Sequence, residues 1–291
     1  NILESIYVGT IGKSHRTNDT SDMLMFNAEE AGIVVKFEKK DTPQKVNIKL
    51  FRQGPKDIRL NDTKISQKEL IGTLNTVIFC PEDLQLIKGT PSGRRRFLDM
   101  EISQTSATYY HQLMQYNRLL QQRNAILKEY RGKQNIPLEE WDLQLADMAS
   151  FIVKKRLESL KKINLLIDLM NRKLTGGLEN LTIGYEQPYM DNGSLEYTKE
   201  GFYERIKAAL PQDRHRMTTS VGPHRDDLRF FSDAMDLKKF GSQGQQRTAV
   251  LSLKLSELEF IKSEVGEYPV LLLDDVLSEL DESRRANLLQ F

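Results

Sequence analysis

The middle of the chain almost lacks the residues that end helices, and this tract constrains the fold more than any other feature. Across residues 104–173 only Gly132 and Pro137 interrupt it, while apolar residues recur every three or four positions, as on one face of a helix. The tract predicts two long antiparallel helices joined at 131–137, the second over residues 138–174. At 1.5 Å per residue that helix would be about 55 Å long. It could form an extended arm or a helical bundle packed on the main domain.

Strand patterns lie on both sides of the helical tract. Gly32–Lys39 and Val46–Phe51 precede it, with a turn at 40–43 between them, and Tyr268–Leu273 follows it. Sheet, helical insertion and sheet again predict an α/β fold whose core is interrupted by a helical domain. The predicted domains are the first part of a head, residues 1–103, a helical arm domain, residues 104–215, and the second part of the head, residues 216–291.

Composition excludes several classes of protein. The net charge of +1 gives no global basic signature, so any nucleic-acid contact must be local. A single cysteine, Cys80, excludes a disulfide framework within one chain and disfavours a cysteine-based zinc site. No stretch approaches the roughly 20 apolar residues of a membrane span. We therefore expect a cytoplasmic protein.

The strongest local motif is an apolar strand that ends in two carboxylates. Val270–Leu273 is predicted to be buried on both faces, as in a parallel sheet, and Asp274 and Asp275 follow it. Ligands bind outside the carboxyl ends of such strands. One carboxylate there can hold Mg²⁺ and its neighbour can orient or deprotonate water, which is the Walker B pattern. Alone the motif is weak, because an apolar strand followed by a helix cap looks the same.

A second motif precedes a predicted helix over residues 243–262. Ser242 is a good N-cap, and Gly244 would let the backbone approach a ligand closely. Together with Gln243 and Gln245, the first amides of the helix could bind a phosphate. A capped helix with nothing bound is the alternative reading of this motif.

The order of these motifs points to one class of protein. A signature-like loop, a helix, a buried strand, paired acids and the Ser-x-x-Asp turn ending at Asp281 match the layout of an ABC-type ATPase. The G-x-x-x-x-G-K-[ST] phosphate loop is not found. Gly12-Lys13-Ser14 does not supply it, because Tyr7 occupies the place of the required first glycine.

The chain resembles the RecF family of bacterial DNA repair ATPases. The similarity spans nearly the whole chain, and its specific stretches are residues 1–6, 12–17, 81–84 with 88–89 and 93–99, 222–228 and 241–247. The resemblance implies an ABC-type ATPase head with an inserted helical arm, and two such heads sandwiching ATP. The phosphate loop, Asp274 and Asp275 of one copy would face the signature loop of the other.

The resemblance also assigns roles to individual residues. Asp274 would bind Mg²⁺, and Asp275 would act on the attacking water. The residues that contact the nucleotide would be Ser242, Gln243, Gly244, Gln245 and Asp281. Because an Asp at position 275 is shorter than the Glu usual there, turnover should be slow.

The family implies partners as well as chemistry. These are double-stranded DNA and its junctions with single strands, RecR and RecO as protein partners, and RecA loading at gaps during repair and recombination. It further implies that the chain is cut short at both ends, with the phosphate loop upstream of Asn1 and a final strand and switch histidine beyond Phe291. We therefore expect the chain as given to bind ATP weakly and to lack ATPase activity.

A run of three arginines is the candidate DNA contact. Arg94, Arg95 and Arg96 could bind phosphates of DNA or ATP, or could form a solvated or salt-bridged helix start. Two other functions remain open: another SMC-like ATPase, and a DNA-binding scaffold of the same fold that does not hydrolyse ATP.

Overall fold

The computed structural model describes residues 2–17, 19–131, 137–177, 179–189 and 197–274. These residues form two compact units. The first unit contains the described residues of 2–83, 103–107 and 254–274, and the second contains those of 84–102 and 108–253.

Helices and strands of the described chain are numbered along the sequence. The helices are α1 Ile2–Ile11, α2 Gln67–Leu70, α3 Gln85–Lys88, α4 Pro91–Thr105, α5 Ala107–Glu129, α6 Glu139–Thr175, α7 Lys199–Ala208, α8 Leu210–Arg216, α9 Leu237–Phe240 and α10 Gln243–Val265. The strands are β1 Glu30–Lys39, β2 Thr42–Phe51, β3 Asp57–Leu60, β4 Thr63–Lys64, β5 Thr76–Phe79, β6 Leu181–Glu186, β7 Asp227–Ser232, β8 Met235–Asp236 and β9 Val270–Leu273.

An antiparallel sheet, ordered β1-β2-β3-β4, forms much of the first unit. Alternation in β2 places Val46, Ile48 and Leu50 on a buried face, as the sequence predicts. The chain reverses between β1 and β2 at Lys40 and Asp41, which both have positive φ. Two residues in that conformation match the right-handed twist of the paired strands, so the hairpin is tight.

The strand that carries the paired carboxylates lies beside β5. β9 and β5 pair in parallel, from Thr76 opposite Val270 to Phe79 opposite Leu273. The prediction that β9 is buried on both faces is wrong: Leu272 is buried, but Val270 is 41% exposed. Val270 and Leu272 share one face of the strand, so full exposure is confined to its first residue, while Leu271 and Leu273 on the other face are half-buried.

The two long helices of the second unit confirm the helical reading of the central tract. α6 ends at Thr175, and Gly176 then adopts the left-handed conformation that commonly closes helices. Buried side chains occur along α6 from Leu145 to Met170, and the helix packs on α7 and β6. Within this unit one face of α6 is thus covered along its length, while Leu165 on another face is 72% exposed.

β6, β7, β8 and the start of α10 lie in the same compact unit as the two long helices. The predicted domain boundaries after residues 103 and 215 stay predictions. In the described part of the chain, no helix is long and apolar enough to cross a bilayer.

Candidate nucleotide-binding site

Asp274 lies at the carboxyl end of the parallel pair β5–β9. Its backbone N–H donates to the carbonyl of Phe79 at 2.9 Å, which extends the strand pairing by one residue. The side chain is partly exposed. This is the edge of a parallel sheet at which ligands bind in α/β proteins. Asp275 and Asp281, the other acidic residues predicted to act here, lie outside the described residues.

An arginine from the far end of the sequence reaches the Asp274 carboxylate. Arg16 Nη2 and Asp274 Oδ2 are 2.5 Å apart, although 258 residues separate them in the sequence. Sequence reasoning did not assign Arg16 to the site, and its place in the stretch 12–17 that resembles the RecF family was the available signal. The pair supplies a positive charge beside the carboxylate that we predict to hold the metal.

Ser14 folds the loop that carries Arg16. Its Oγ donates to Glu4 Oε1 at 2.5 Å and accepts from the backbone N–H groups of Arg16 and Thr17 at 3.0 and 3.3 Å. Because Ser14 bonds both to α1 and to the loop, it fixes the backbone from which the Arg16 side chain extends.

The segment Gly12-Lys13-Ser14 lies at the carboxyl end of α1. Gly12 has φ 76° and its N–H bonds the carbonyl of Val8, so it terminates the helix. A phosphate loop instead leads into a helix at its amino end, where free N–H groups and the helix dipole favour anions. The structure therefore confirms that this segment is not a phosphate loop.

His15 lies in the same loop as a neutral side chain. Its ring contacts Tyr7 edge-on, with centroids 5.5 Å apart. Burial is the main cause that lowers the His15 pKa, and the Arg16 charge lowers it further. Neither ring nitrogen has a hydrogen-bond partner within the described residues. The imidazole therefore adds no positive charge to that of Arg16 at neutral pH.

The Asp274 carboxylate fits a magnesium ion that also binds phosphate oxygens. Within the described residues only its Oδ2 is engaged, by Arg16. The described residues contain no cluster of three or more His, Cys, Asp or Glu side chains that could hold a metal. Mg²⁺ does not require one, because it is usually bound through one or two carboxylates together with substrate phosphates and water.

The predicted signature loop of the second unit is a capped helix start. Ser242 Oγ accepts from the N–H of Gln245 at 3.2 Å, and the Ser242 N–H donates to Gln245 Oε1 at 3.0 Å. This reciprocal pair is a capping box, which confirms Ser242 as the N-cap. The N–H groups of Gln243 and Gly244 open the helix and have no acceptor within it.

Two glycines shape this loop in different ways. A Cβ on Gly241 would lie 2.7 Å from the carbonyl oxygen of Leu237, so only glycine fits there. A Cβ on Gly244 would meet only Ser242 Oγ, at 3.9 Å. The space above Gly244 is open, which fits the prediction that a ligand approaches the backbone at this point.

Gln245 ties the loop to the chain that follows α6. Its Nε2 donates to Glu179 Oε1 at 3.1 Å, while its Oε1 serves the capping box. Exposed side chains border the same loop: Ser242, Gln243 and Phe240, which is 71% exposed.

Of the three arginines predicted to contact DNA, Arg94 is committed to an internal ion pair. Its Nε and Nη2 donate to the two carboxylate oxygens of Asp227 at 2.7 and 2.8 Å, and the side chain is buried. The salt-bridged helix start, our alternative reading, therefore describes Arg94. Arg95 is half-buried and Arg96 is exposed, so they remain the candidates for phosphate contacts.

Comparison with known proteins identifies close relatives. The chain is 46% identical over 288 residues to the DNA replication and repair protein RecF of Alkaliphilus oremlandii, which covers 98% of this chain and 79% of that protein. It is also 46% identical over 286 residues to the RecF protein of Clostridium botulinum strain Eklund 17B, covering 98% and 78%. No family model matches the chain.

Solved structures agree with the sequence relatives. A structure described as the recombination mediator protein RecF-ATP in the RecFOR pathway superposes with a TM-score of 0.93 at 36% identity, covering 99% of this chain and 79% of that one. The corresponding RecF-ATPrS structure gives a TM-score of 0.91 at 35% identity, with the same coverage.

The fold, together with the order of capped signature helix, strand and carboxylate, defines an ABC-type ATPase head. The chain belongs to the RecF family of DNA replication and repair proteins.

Proposed function

We propose that this protein is an ATP-dependent DNA-binding ATPase of recombinational repair, which dimerises on DNA when it binds ATP and hydrolyses the ATP slowly. The observation that carries the proposal is the position of Asp274 at the carboxyl end of β9, with Arg16 against it. The relatives named as RecF-ATP and RecF-ATPrS support ATP as the nucleotide.

Asp274 would hold Mg²⁺ through a carboxylate oxygen. The ion would neutralise phosphate charge and align the terminal phosphate. Asp275 would accept a proton from the attacking water or orient it. Arg16 would compensate charge beside the phosphates, because its guanidinium already lies against Asp274. The short side chain of Asp275 supports slow turnover, which suits a nucleotide that times a clamp.

The signature loop would act on a nucleotide bound by a second copy of the chain. The amides of Gln243 and Gly244 and the hydroxyl of Ser242 offer donors to phosphate oxygens. Gln245 would hold this loop in shape, and Asp281 would contribute at the same interface. Two copies would then enclose ATP, and neither could form the complete site alone.

DNA is the proposed macromolecular substrate, both as duplex and at its junctions with single strands. Arg95 and Arg96 would contact phosphates near the start of α4. RecO and RecR are the proposed protein partners, supported by the RecFOR pathway named for the related structures. RecA loading at gaps is the proposed outcome.

The test is ATP-dependent dimerisation of a Ser242→Arg variant, made in a chain that includes a phosphate loop. A bulky cation at the open loop should abolish the dimer while leaving the ATP affinity of the monomer nearly unchanged. Ser263→Arg is the matched control, because Ser263 is exposed near the other end of α10. Light scattering with and without Mg·ATP gives the readout. An unchanged Ser242→Arg dimer would refute the shared site, and wild-type dimers without turnover would favour a non-hydrolysing scaffold.

A further inference from the structure

The second unit contains a cavity of about 1030 Å³. Its lining residues come from segments other than the signature loop. Its walls come from the start of α4, from α7 and α8, and from the loop before β7. Four arginines line it against one acidic side chain, Glu204. These arginines are Arg95, Arg205, Arg216 and Arg225. The cavity is therefore strongly positive, although the whole chain has a net charge of only +1.

Neutral groups hold the cavity arginines in place. Arg225 donates through Nε and Nη2 to the carbonyl of Thr219, at 3.0 and 2.6 Å. Arg205 Nη1 donates to the carbonyl of Tyr189 at 3.0 Å. Backbone carbonyls position a guanidinium without cancelling its charge, so both arginines remain full cations.

The other two arginines of the cavity are bound in the same manner. Arg95 Nη1 donates to the backbone carbonyl of Asp226 at 2.6 Å. The side-chain amide oxygen of Gln212, in the orientation that satisfies both groups, accepts from both terminal nitrogens of Arg216 at 3.1 and 3.2 Å. Within the described residues, none of the four cavity arginines has a carboxylate partner within salt-bridge distance.

Arginines elsewhere in this unit behave differently. Arg123 binds Asp142 and Asp213 at 2.6 and 2.7 Å, and Arg156 binds Asp99 at 2.9 Å. Burying a cation requires a counter-ion, and these arginines have theirs inside the protein. The cavity arginines are instead half-buried or exposed and have no carboxylate in contact among the described residues, so their charge faces the cavity and would attract an anionic ligand.

The cavity also offers flat, neutral surface. Tyr189 lines it, half-buried, and its ring packs near Phe202, with centroids 6.5 Å apart. His224 lines it as a neutral imidazole, because burial lowers its pKa to about 4. Aromatic side chains beside arginines are the combination that binds the bases and phosphates of single strands.

We propose that this arginine cavity binds the phosphates of a single nucleic-acid strand. The guanidinium fork matches phosphate oxygens in bidentate geometry, and four forks in one concave site suit successive phosphates. An unpaired strand can turn its bases toward the aromatic wall, whereas the bases of a duplex are already paired and stacked inside it. An acidic peptide is the competing ligand, but it would leave the aromatic wall without a stacking partner.

This inference rests on the proposed role of the protein in DNA repair, and it assigns a strand-binding site that is separate from the nucleotide site. The test is binding of a fluorescent single-stranded oligonucleotide without ATP, followed by anisotropy over a range of salt concentrations. The variant is Arg216→Gln with Arg225→Gln, since both side chains are exposed. Lys154→Gln with Lys161→Gln is the control, which removes the same charge from exposed positions of α6.

Affinity of the arginine variant should fall at least about tenfold. The slope of log K against log salt should flatten by about 0.7 for each lost contact. The lysine control should keep the wild-type slope. Arg216→Lys with Arg225→Lys should recover part of the affinity, because lysine keeps the charge but not the fork.

Several results would overturn the proposal. These are an unchanged slope in the arginine variant, an equal loss in the lysine control, a loss confined to duplex DNA, or displacement of the strand by polyglutamate or by free ATP. The oligonucleotide-binding assay contains no ATP. Its result can therefore be interpreted even if the protein fails to dimerise with ATP. The arginine variant should still dimerise with ATP where the wild type does.

Discussion

His224 should make the folded protein sensitive to acid. Its Nδ1 accepts from the hydroxyl of Tyr116 at 2.6 Å, and its Nε2 donates to the carbonyl of Thr219 at 3.0 Å. Both bonds suit the neutral ring. Burial is the largest cause that lowers its pKa to about 4 from 6.5, and the charges of Arg225 and Arg95 lower it further.

The sign of the effect follows from which state binds the proton. Between pH 6.5 and about 4 the unfolded chain protonates His224, whereas the folded chain keeps the ring neutral. The stability is therefore fully present above pH 6.5 and is lost as the pH falls through this window. Each pH unit between the two pKa values corresponds to about 1.4 kcal/mol, so the full loss is about 3 kcal/mol.

Urea denaturation of the wild type and of His224→Gln, at pH values from 7 to 4, measures this loss. Glutamine can donate and accept hydrogen bonds but does not titrate. Over this pH range the free energy of unfolding of the variant should therefore fall by about 3 kcal/mol less than that of the wild type. The other titrating groups are common to both proteins and cancel in the difference. His215→Gln, at an exposed position, is the matched control for loss of an imidazole. Parallel pH curves for the wild type and His224→Gln would refute the reasoning.

Two further predictions concern the candidate site and its surroundings. In a chain with a phosphate loop, Asp275→Asn should bind ATP but barely hydrolyse it, so that dimers accumulate; single-turnover assays with wild-type rates would remove Asp275 from the mechanism. Arg94→Ala should lower the free energy of unfolding by about 3 kcal/mol, because it leaves Asp227 without its buried partner. Arg96→Ala, at an exposed position, should change it by less than about 1 kcal/mol. Chemical denaturation compares the two, and equal effects would contradict the assigned role of Arg94.

Local patterns predicted the elements of this fold well. The alternation of Val46, Ile48 and Leu50 gave a strand with one buried face, and the missing helix breakers gave α5 and α6. The predicted helix over residues 138–174 matches α6 within one residue at each end. These features depend on residues a few positions apart, which is the range over which periodicity and capping carry information.

Long-range pairs could not be predicted in this way. Arg16 meets Asp274 across most of the sequence, and Arg94 meets Asp227 across 133 residues. The sequence of a run of arginines is the same whether its members face solvent or a buried carboxylate. The sequence alone therefore could not exclude Arg94 from the predicted DNA contacts. The arginine cavity draws on separate segments, and only the folded chain brings them together.

Gln245 restricts which side chains its position can accept. Its oxygen receives the N–H of Ser242, and its nitrogen donates to Glu179. A glutamate at position 245 would keep the bond from Ser242 and repel Glu179. A lysine would keep a bond to Glu179 and lose the bond from Ser242. Only a side chain with a donor and an acceptor at that length preserves both bonds, so a glutamate at position 245 should need a different residue at position 179, whereas a lysine should weaken the helix cap whatever residue is at 179.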